Sequence, residues 1–222
     1  MNPNTRPIGI FDSGTGGLSV LRECKRLLPN ENFVYLCDRE FFPYGNKSNS
    51  FIKKRVFALS ERLLTEYDCK AIVVACNTAT NVGIQMLREK YSTPFVGLEP
   101  AIKPALEEIP KEKVVLLTTP VTMRQEKFKN LLSKFDISNL VILPQKDLAS
   151  QIEDNIDDVD KVYPQIEEIL TPHSDAKGIV LGCTHYVFAK PLIEKFFENL
   201  SKQIKIFDGN EGAARRLKDL LG

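Results

Sequence analysis

The sequence predicts an α/β protein of two similar lobes, each a parallel sheet flanked by helices. Three observations carry that prediction. Short apolar runs rich in β-branched residues alternate with longer segments of helical periodicity, the pattern of strands joined by helical crossovers. Two of those runs, 71–75 and 178–182, pass from buried-strand character straight into a cysteine and then polar residues, Cys76-Asn77-Thr78 and Cys183-Thr184-His185. The first run, 8–11, opens into a turn containing Gly14, Gly16 and Gly17, which lets the backbone bend tightly between strand and helix. In parallel sheets ligands sit beyond the carboxyl ends of the strands. The expected site therefore lies in the cleft between the lobes, with one thiol from each.

Taken in order, residues 8–11 read as the first strand. The helix after the glycine turn keeps Leu18, Leu21, Cys24 and Leu28 near one face. Asp12, at the head of that turn, reads as a ligand-facing group or as a helix cap. Residues 33–37 form the second strand. The loop 38–49 carries Pro43-Tyr44-Gly45 followed by Lys47-Ser48, a fixed turn whose tyrosine hydroxyl is a candidate contact. An amphipathic helix over 50–67 places Ile52, Val56, Leu59 and Leu63 inward. The cysteine strand follows, then a helix to about 91 and a short strand at 94–98.

The second half repeats the plan. A strand at 114–117 ends at Thr118-Thr119-Pro120-Val121-Thr122 and a helix runs to about 135. A strand at 140–143 leads into an acidic helical stretch, 147–170, whose run 153–160 reads as a solvated face. The second cysteine strand, a helix over 187–200, a strand at 204–207 and a last helix at 211–221 complete the chain. The first lobe is expected to comprise 1–98 with 206–222, and the second 99–205.

Composition narrows the class. Hydrophobic residues make up 43% and charged residues 27% of the 222, ordinary for a globular protein. A formal net charge of +1 gives no sign of nucleic-acid or membrane binding. No apolar run reaches the ~18 residues of a membrane span. The N-terminal stretch 1–7 lacks the apolar segment of a signal peptide, so a cytoplasmic protein with reduced thiols is expected. Five cysteines without a Cys-x-x-Cys pair speak against a disulfide framework or zinc knuckle, and two histidines against a His-based metal site.

Cys24, Cys37 and Cys69 read as small buried hydrophobes. Cys76 and Cys183 differ, because hydrogen-bonding residues follow each of them. Such a pair fits a redox disulfide, a soft-metal site, or an opposed acid and base. The last is the demanding case. Inverting a stereocentre through a planar carbanion needs a base on one face and an acid on the other. A thiol, with an unperturbed pKa near ~8.5, serves both roles. Asp12 is placed to hold an ammonium group or tune a thiol, and His185 to assist proton transfer beside Cys183 or to cap a helix.

Five separated motifs resemble those of glutamate racemases, of the cofactor-independent aspartate/glutamate racemase superfamily. They are residues 8–21, Pro43-Tyr44-Gly45 with Lys47-Ser48, 75–79 around Cys76, Glu99-Pro100, and 181–186 around Cys183. The resemblance covers nearly the whole chain. It implies interconversion of L- and D-glutamate without cofactor or metal, supplying D-glutamate for peptidoglycan. It makes Cys76 the base toward D-glutamate and Cys183 the base toward L-glutamate, with Asp12 and His185 as their polar partners. It lines the substrate pocket with Ser13, Pro43, Tyr44, Gly45, Asn77, Thr78, Thr119, Thr122 and Thr184, and matches Glu153 by position to a functional glutamate. Thr118 stands where the family usually has glycine. Glutamate is the implied partner and a homodimer the implied assembly, with no membrane or nucleic acid. The alternatives are an aspartate or other amino-acid racemase of the superfamily, or a non-catalytic binding relative.

Overall fold

The computed structural model describes residues 5–222; the first four residues of the N-terminal stretch lie outside the described residues. The chain divides into two compact units. One comprises residues up to Glu99 together with Asn210–Gly222, the other Pro100–Gly209.

In the first unit the elements run β1 (Ile8–Asp12), α1 (Leu18–Leu27), β2 (Phe33–Cys37), α2 (Asn49–Thr65), β3 (Ala71–Val74), α3 (Asn77–Lys90) and β4 (Phe95–Gly97). In the second they run α4 (Ile102–Glu108), β5 (Val114–Thr118), α5 (Pro120–Arg124), α6 (Glu126–Leu132), β6 (Leu140–Pro144), α7 (Leu148–Asp154), α8 (Tyr163–Leu170), β7 (Gly178–Leu181), α9 (Lys190–Asn199) and β8 (Lys205–Asp208). The chain then returns to the first unit with α10 (Asn210–Leu221).

Each unit has one four-stranded sheet, ordered β2-β1-β3-β4 in the first and β6-β5-β7-β8 in the second, with every pair parallel. The two orders are the same topology used twice. In each, the chain moves outward from the first strand and then crosses back to the third. Inner strands β1, β3, β5 and β7 are buried along their whole length, as strands covered on both faces must be. The order reverses between β1 and β3, and again between β5 and β7. These reversals are where a parallel sheet opens a crevice at its carboxyl end.

The first core gathers Ile8, Ile10, Val20, Cys24, Val73, Val96, Ala213, Ala214 and Leu217, so α10 completes it from the far end of the chain. The second gathers Ile102, Leu106, Val114, Leu116, Phe128 and Val180.

Several expectations are corrected. Strand β8 pairs with β7, Ile179 opposite Ile206, so 206–209 belong to the second unit and the chain crosses back at 209–210. Leu18 is 44% exposed: it opens α1, and the helix phase turns Val20 inward in its place, beside Cys24, which is buried, and Leu21 and Leu28, which are partly so. Cys37 is exposed because β2 is an edge strand and Cys37 its last residue. The single helix expected after Pro120 is two, broken at Gln125, whose extended backbone (ψ 138°) ends one turn and caps the next. The acidic stretch is likewise α7 and α8 joined by a 3-10 turn, Val159–Val162.

Candidate active site

The first candidate set sits at the β1/β3 reversal. Asp12 is the last residue of β1 and fully buried. Its Oδ1 accepts the Ser13 backbone N–H at 2.5 Å and the Ser13 hydroxyl at 3.2 Å. The Ser13 oxygen lies 3.7 Å from Cys76 Sγ. With its own proton donated to Asp12, Ser13 is left to accept from the thiol, giving a chain from Cys76 through Ser13 to a buried carboxylate. Asp12 does not cap α1, whose first residue follows Gly17 without a side-chain cap. The glycine turn is needed for close approach: a Cβ on Gly17 would stand 2.7 Å from Asp12 Cβ and 2.8 Å from the Tyr35 hydroxyl. Tyr35 in turn donates to the Gly14 carbonyl at 2.6 Å.

Cys76 is the N-terminal cap of α3, its carbonyl accepting from Thr80 N–H at 2.8 Å. A helix N-terminus favours the anionic form of a group placed there. Thr80 Oγ1 ties the junction, donating to the Val74 carbonyl and accepting from Leu98 N–H, both at 3.0 Å. Asn77 and Thr78 are 3% exposed, and Asn77 Oδ1 has no hydrogen-bond partner, leaving an acceptor beside Cys76. Tyr44 is buried in a short 3-10 turn after Pro43. Burial, the hydrogen bond to Asp38, and the charges of Asp38 and Cys76 push its phenol well above the ordinary range, so it stays protonated.

The second set sits at the β5/β7 reversal. Gly182 N–H donates to the Leu117 carbonyl at 2.7 Å, and a Cβ there would stand 2.6 Å from that same oxygen. Glycine is therefore required where the chain leaves β7 to present Cys183. A 3-10 turn, Thr184–Ala189, follows directly. Cys183 Sγ is 3.9 Å from His185 Nδ1, and His185 Nε2 is 2.8 Å from Glu153 Oε2. Both His185 and Glu153 are buried, at 1% and 4% exposed. An ionised Glu153 accepts only, so Nε2 carries the proton and Nδ1 faces the thiol.

Glu153 thus leaves the solvated face expected for 153–160, because α7 turns it inward to His185, while Asp154, Asp157, Asp158 and Asp160 remain exposed. Thr119 caps α5 and donates to Thr122 Oγ1 at 2.9 Å. Thr184 is 2% exposed. Pro43 and Gly45 flank Tyr44 in the partly buried loop. Tyr186, fully buried, directs its hydroxyl at the carbonyls of Thr118 and Gln145, 3.4 Å each.

Two thiols therefore occupy equivalent positions of a repeated topology, each against a polar relay that ends in a carboxylate. The Asp/Glu/hydantoin racemase family profile matches residues 8–217. The chain belongs to that family. It is an isomerase, and relatives align over nearly its whole length. A glutamate racemase of Clostridium kluyveri is 43% identical, covering 98% of this chain and 85% of its own. The structure of Escherichia coli glutamate racemase with L-glutamate and the activator UDP-MurNAc-Ala superposes with a TM-score of 0.88 at 34% identity, over 97% of this chain and 82% of that one. That of the Francisella tularensis enzyme with D-glutamate gives 0.79 at 28%, over 98% and 81%. Asp38 and Arg55, which bear on Tyr44, were not singled out by the sequence; a buried acid seventeen residues from its arginine leaves no local pattern. Among the described residues no cluster of three or more His, Cys, Asp or Glu could hold a metal, and no helix is long and apolar enough to cross a membrane.

Proposed function

We propose that this enzyme interconverts L- and D-glutamate by a two-thiol acid/base mechanism. The observation that carries it is the repeated thiol relay, Cys76–Ser13–Asp12 in one unit and Cys183–His185–Glu153 in the other. The two thiols act on one α-carbon from opposite faces, and the placement of the units about the substrate is part of the proposal.

From D-glutamate, the Cys76 proton passes through Ser13 to Asp12, and the resulting thiolate takes the α-proton. The Cα–H electron pair becomes a planar carbanion. Cys183 delivers its proton to the other face, giving L-glutamate and leaving a Cys183 thiolate. In the reverse direction His185 takes the Cys183 proton at Nδ1, and Glu153 stabilises the imidazolium. Asn77 Oδ1 accepts from the substrate ammonium, and the hydroxyls of Thr78, Thr122 and Thr184 with the 43–45 loop hold the carboxylates, while Ser13 and Thr119, whose protons go to Asp12 and Thr122, line the pocket. Thiols suffice because their ordinary pKa near ~8.5 lies close to the working pH.

The relatives named for glutamate support this substrate over aspartate, as does the Cys183-Thr184-His185 sequence. One methylene is worth only ~1–3 kcal/mol in a pocket, so the substrate is settled by assay. A cytoplasmic homodimer supplying D-glutamate for peptidoglycan completes the reading. The test is α-proton exchange in deuterated water with both enantiomers of glutamate and aspartate and no added cofactor. Deuterium incorporation with inversion of glutamate is expected. Cys76→Ser should abolish exchange from D-glutamate first, and Cys183→Ser from L-glutamate first. Normal racemisation by both variants would overturn the mechanism.

A further inference from the structure

Between residues 38 and 50 two side chains are buried, Asp38 and Tyr44; the rest of the loop is partly or fully exposed. The Tyr44 ring is buried and Phe41 packs on Phe51 of α2, ring centres 5.6 Å apart, but little else in the segment is covered. A polar cluster adds to that packing and gives it direction. Asp38 follows the last residue of β2, and its backbone N–H donates to the Asp12 carbonyl at 2.9 Å, so it stands beside the end of β1. Its carboxylate, 6% exposed, accepts from the Tyr44 hydroxyl on one oxygen. It also accepts both arms of the Arg55 guanidinium, Nε at 2.9 Å and Nη2 at 2.5 Å. Arg55 comes from α2, and its guanidinium stacks 4.1 Å from the centre of the Phe41 ring. One charged fork thus joins the end of β2, the turn that carries Tyr44, and a helix.

The physics of the cluster is directional. A carboxylate this buried is costly unless paired, and a planar two-pronged donor pairs it best. Lysine supplies the charge without the fork or the stacking surface. With both Arg55 bonds made, Asp38 still accepts the phenol proton, which fixes the rotation of the Tyr44 hydroxyl and the seat of its ring. The phenol is also near enough to Cys76 for a charge on that sulfur to add to its upward shift.

We propose that Asp38 and Arg55 are positioning residues for glutamate binding, an ion pair that seats Tyr44 and the 43–45 loop before substrate arrives. This rests on the racemase reading above. The ion pair touches neither the reacting carbon nor the thiols. Its loss leaves proton transfer intact in those molecules that bind, and raises the substrate concentration needed to organise the loop.

The experiment measures KM and kcat for both glutamate enantiomers in Arg55→Ala, Arg55→Lys and Asp38→Asn, with tryptic cleavage after Arg39 and Lys47 followed in parallel. Arg55→Ala should raise KM roughly tenfold or more while kcat falls less than about threefold. Arg55→Lys should fall between it and the parent. The Arg55 side chain is 27% exposed, so the space it vacates opens to solvent. Ethylguanidinium should then restore KM and slow cleavage in Arg55→Ala, whereas ethylammonium should not. In Asp38→Asn neither cation should help. An unchanged KM in Arg55→Ala and Asp38→Asn, or a loss confined to kcat with no guanidinium rescue, would overturn the proposal. Inactivity of the parent protein would overturn the racemase reading instead, and cleavage rates equal to the parent in both variants would still overturn the pinned loop.

Discussion

Glu153 and Cys37 changed character between sequence and structure, and each supports a prediction. Glu153 sits in an acidic run whose other acids are solvated, yet its carboxylate meets His185 Nε2 at 2.8 Å. Glu153→Gln keeps the shape and removes the charge that stabilises an imidazolium. Turnover of L-glutamate should fall by about 10–100-fold, the order that losing the hydrogen-bonded carboxylate behind a functional histidine costs. Steady-state kinetics in the L-to-D direction checks it, and an unchanged rate would make the contact merely structural. Cys37 is exposed, whereas burial pushes Cys24 up to about 12 and Cys69, chiefly by burial, up to about 11. Thiolate is the reactive form. At pH 8 iodoacetamide should modify Cys37 rapidly and leave Cys24 and Cys69 intact in the folded protein, and Cys37→Ser should remove one equivalent of the fast phase by mass. The raised values carry a linkage of fixed sign. The stability they confer is fully present below about 9, the value for an unburied thiol, and is lost as pH rises through 11 to 12.

Strand ends decide which of these side chains meet. The cysteine positions were legible because each depends on a local pattern, an apolar run ending in a thiol, and because a parallel sheet opens beyond its strand ends. The Ser13–Cys76 and His185–Glu153 contacts were not, since they need the β1/β3 neighbour relation and the inward turn of α7, both set by tertiary packing. The allegiance of β8 was missed for the same reason: Ile206 pairs with Ile179, and nothing within 204–207 announces its partner. Thr118 shows a local choice whose cost appears only in the fold. It ends β5 fully buried, and its Oγ1 has no hydrogen-bond partner, while its carbonyl accepts from Gln145 N–H at 2.7 Å. Leaving a buried hydroxyl unpaired costs about 1–3 kcal/mol. Thr118→Val keeps the shape and the strand propensity and removes the orphan. The variant should melt higher by roughly 2–4 °C for each kcal/mol gained in a chain of this size. A lower melting temperature would mean that the hydroxyl has a partner in solution.

At the scale of the molecule, one unit is continuous in sequence and the other is not. Residues 100–209 carry a complete four-stranded sheet, with Ile102, Val114, Leu116, Phe128 and Val180 packed into their own core. The first unit closes only when α10 returns, bringing Ala213, Ala214 and Leu217 onto Val20, Cys24 and Val73, with Asn210 Nδ2 donating to Ser19 Oγ at 3.0 Å. Burying a leucine side chain is worth about 1.5–3 kcal/mol, a large share of a small unit's net stability. A fragment of residues 100–209 should therefore fold alone, with a cooperative urea transition and dispersed amide resonances. A fragment of residues 1–99 should remain loosely packed until a peptide of residues 210–222 is added, and Leu217→Ala in that peptide should abolish the rescue. Folding of 1–99 without the peptide would show that the sheet and α1 hold their core unaided, and failure of 100–209 to fold would show that the continuous unit depends on the other for its stability.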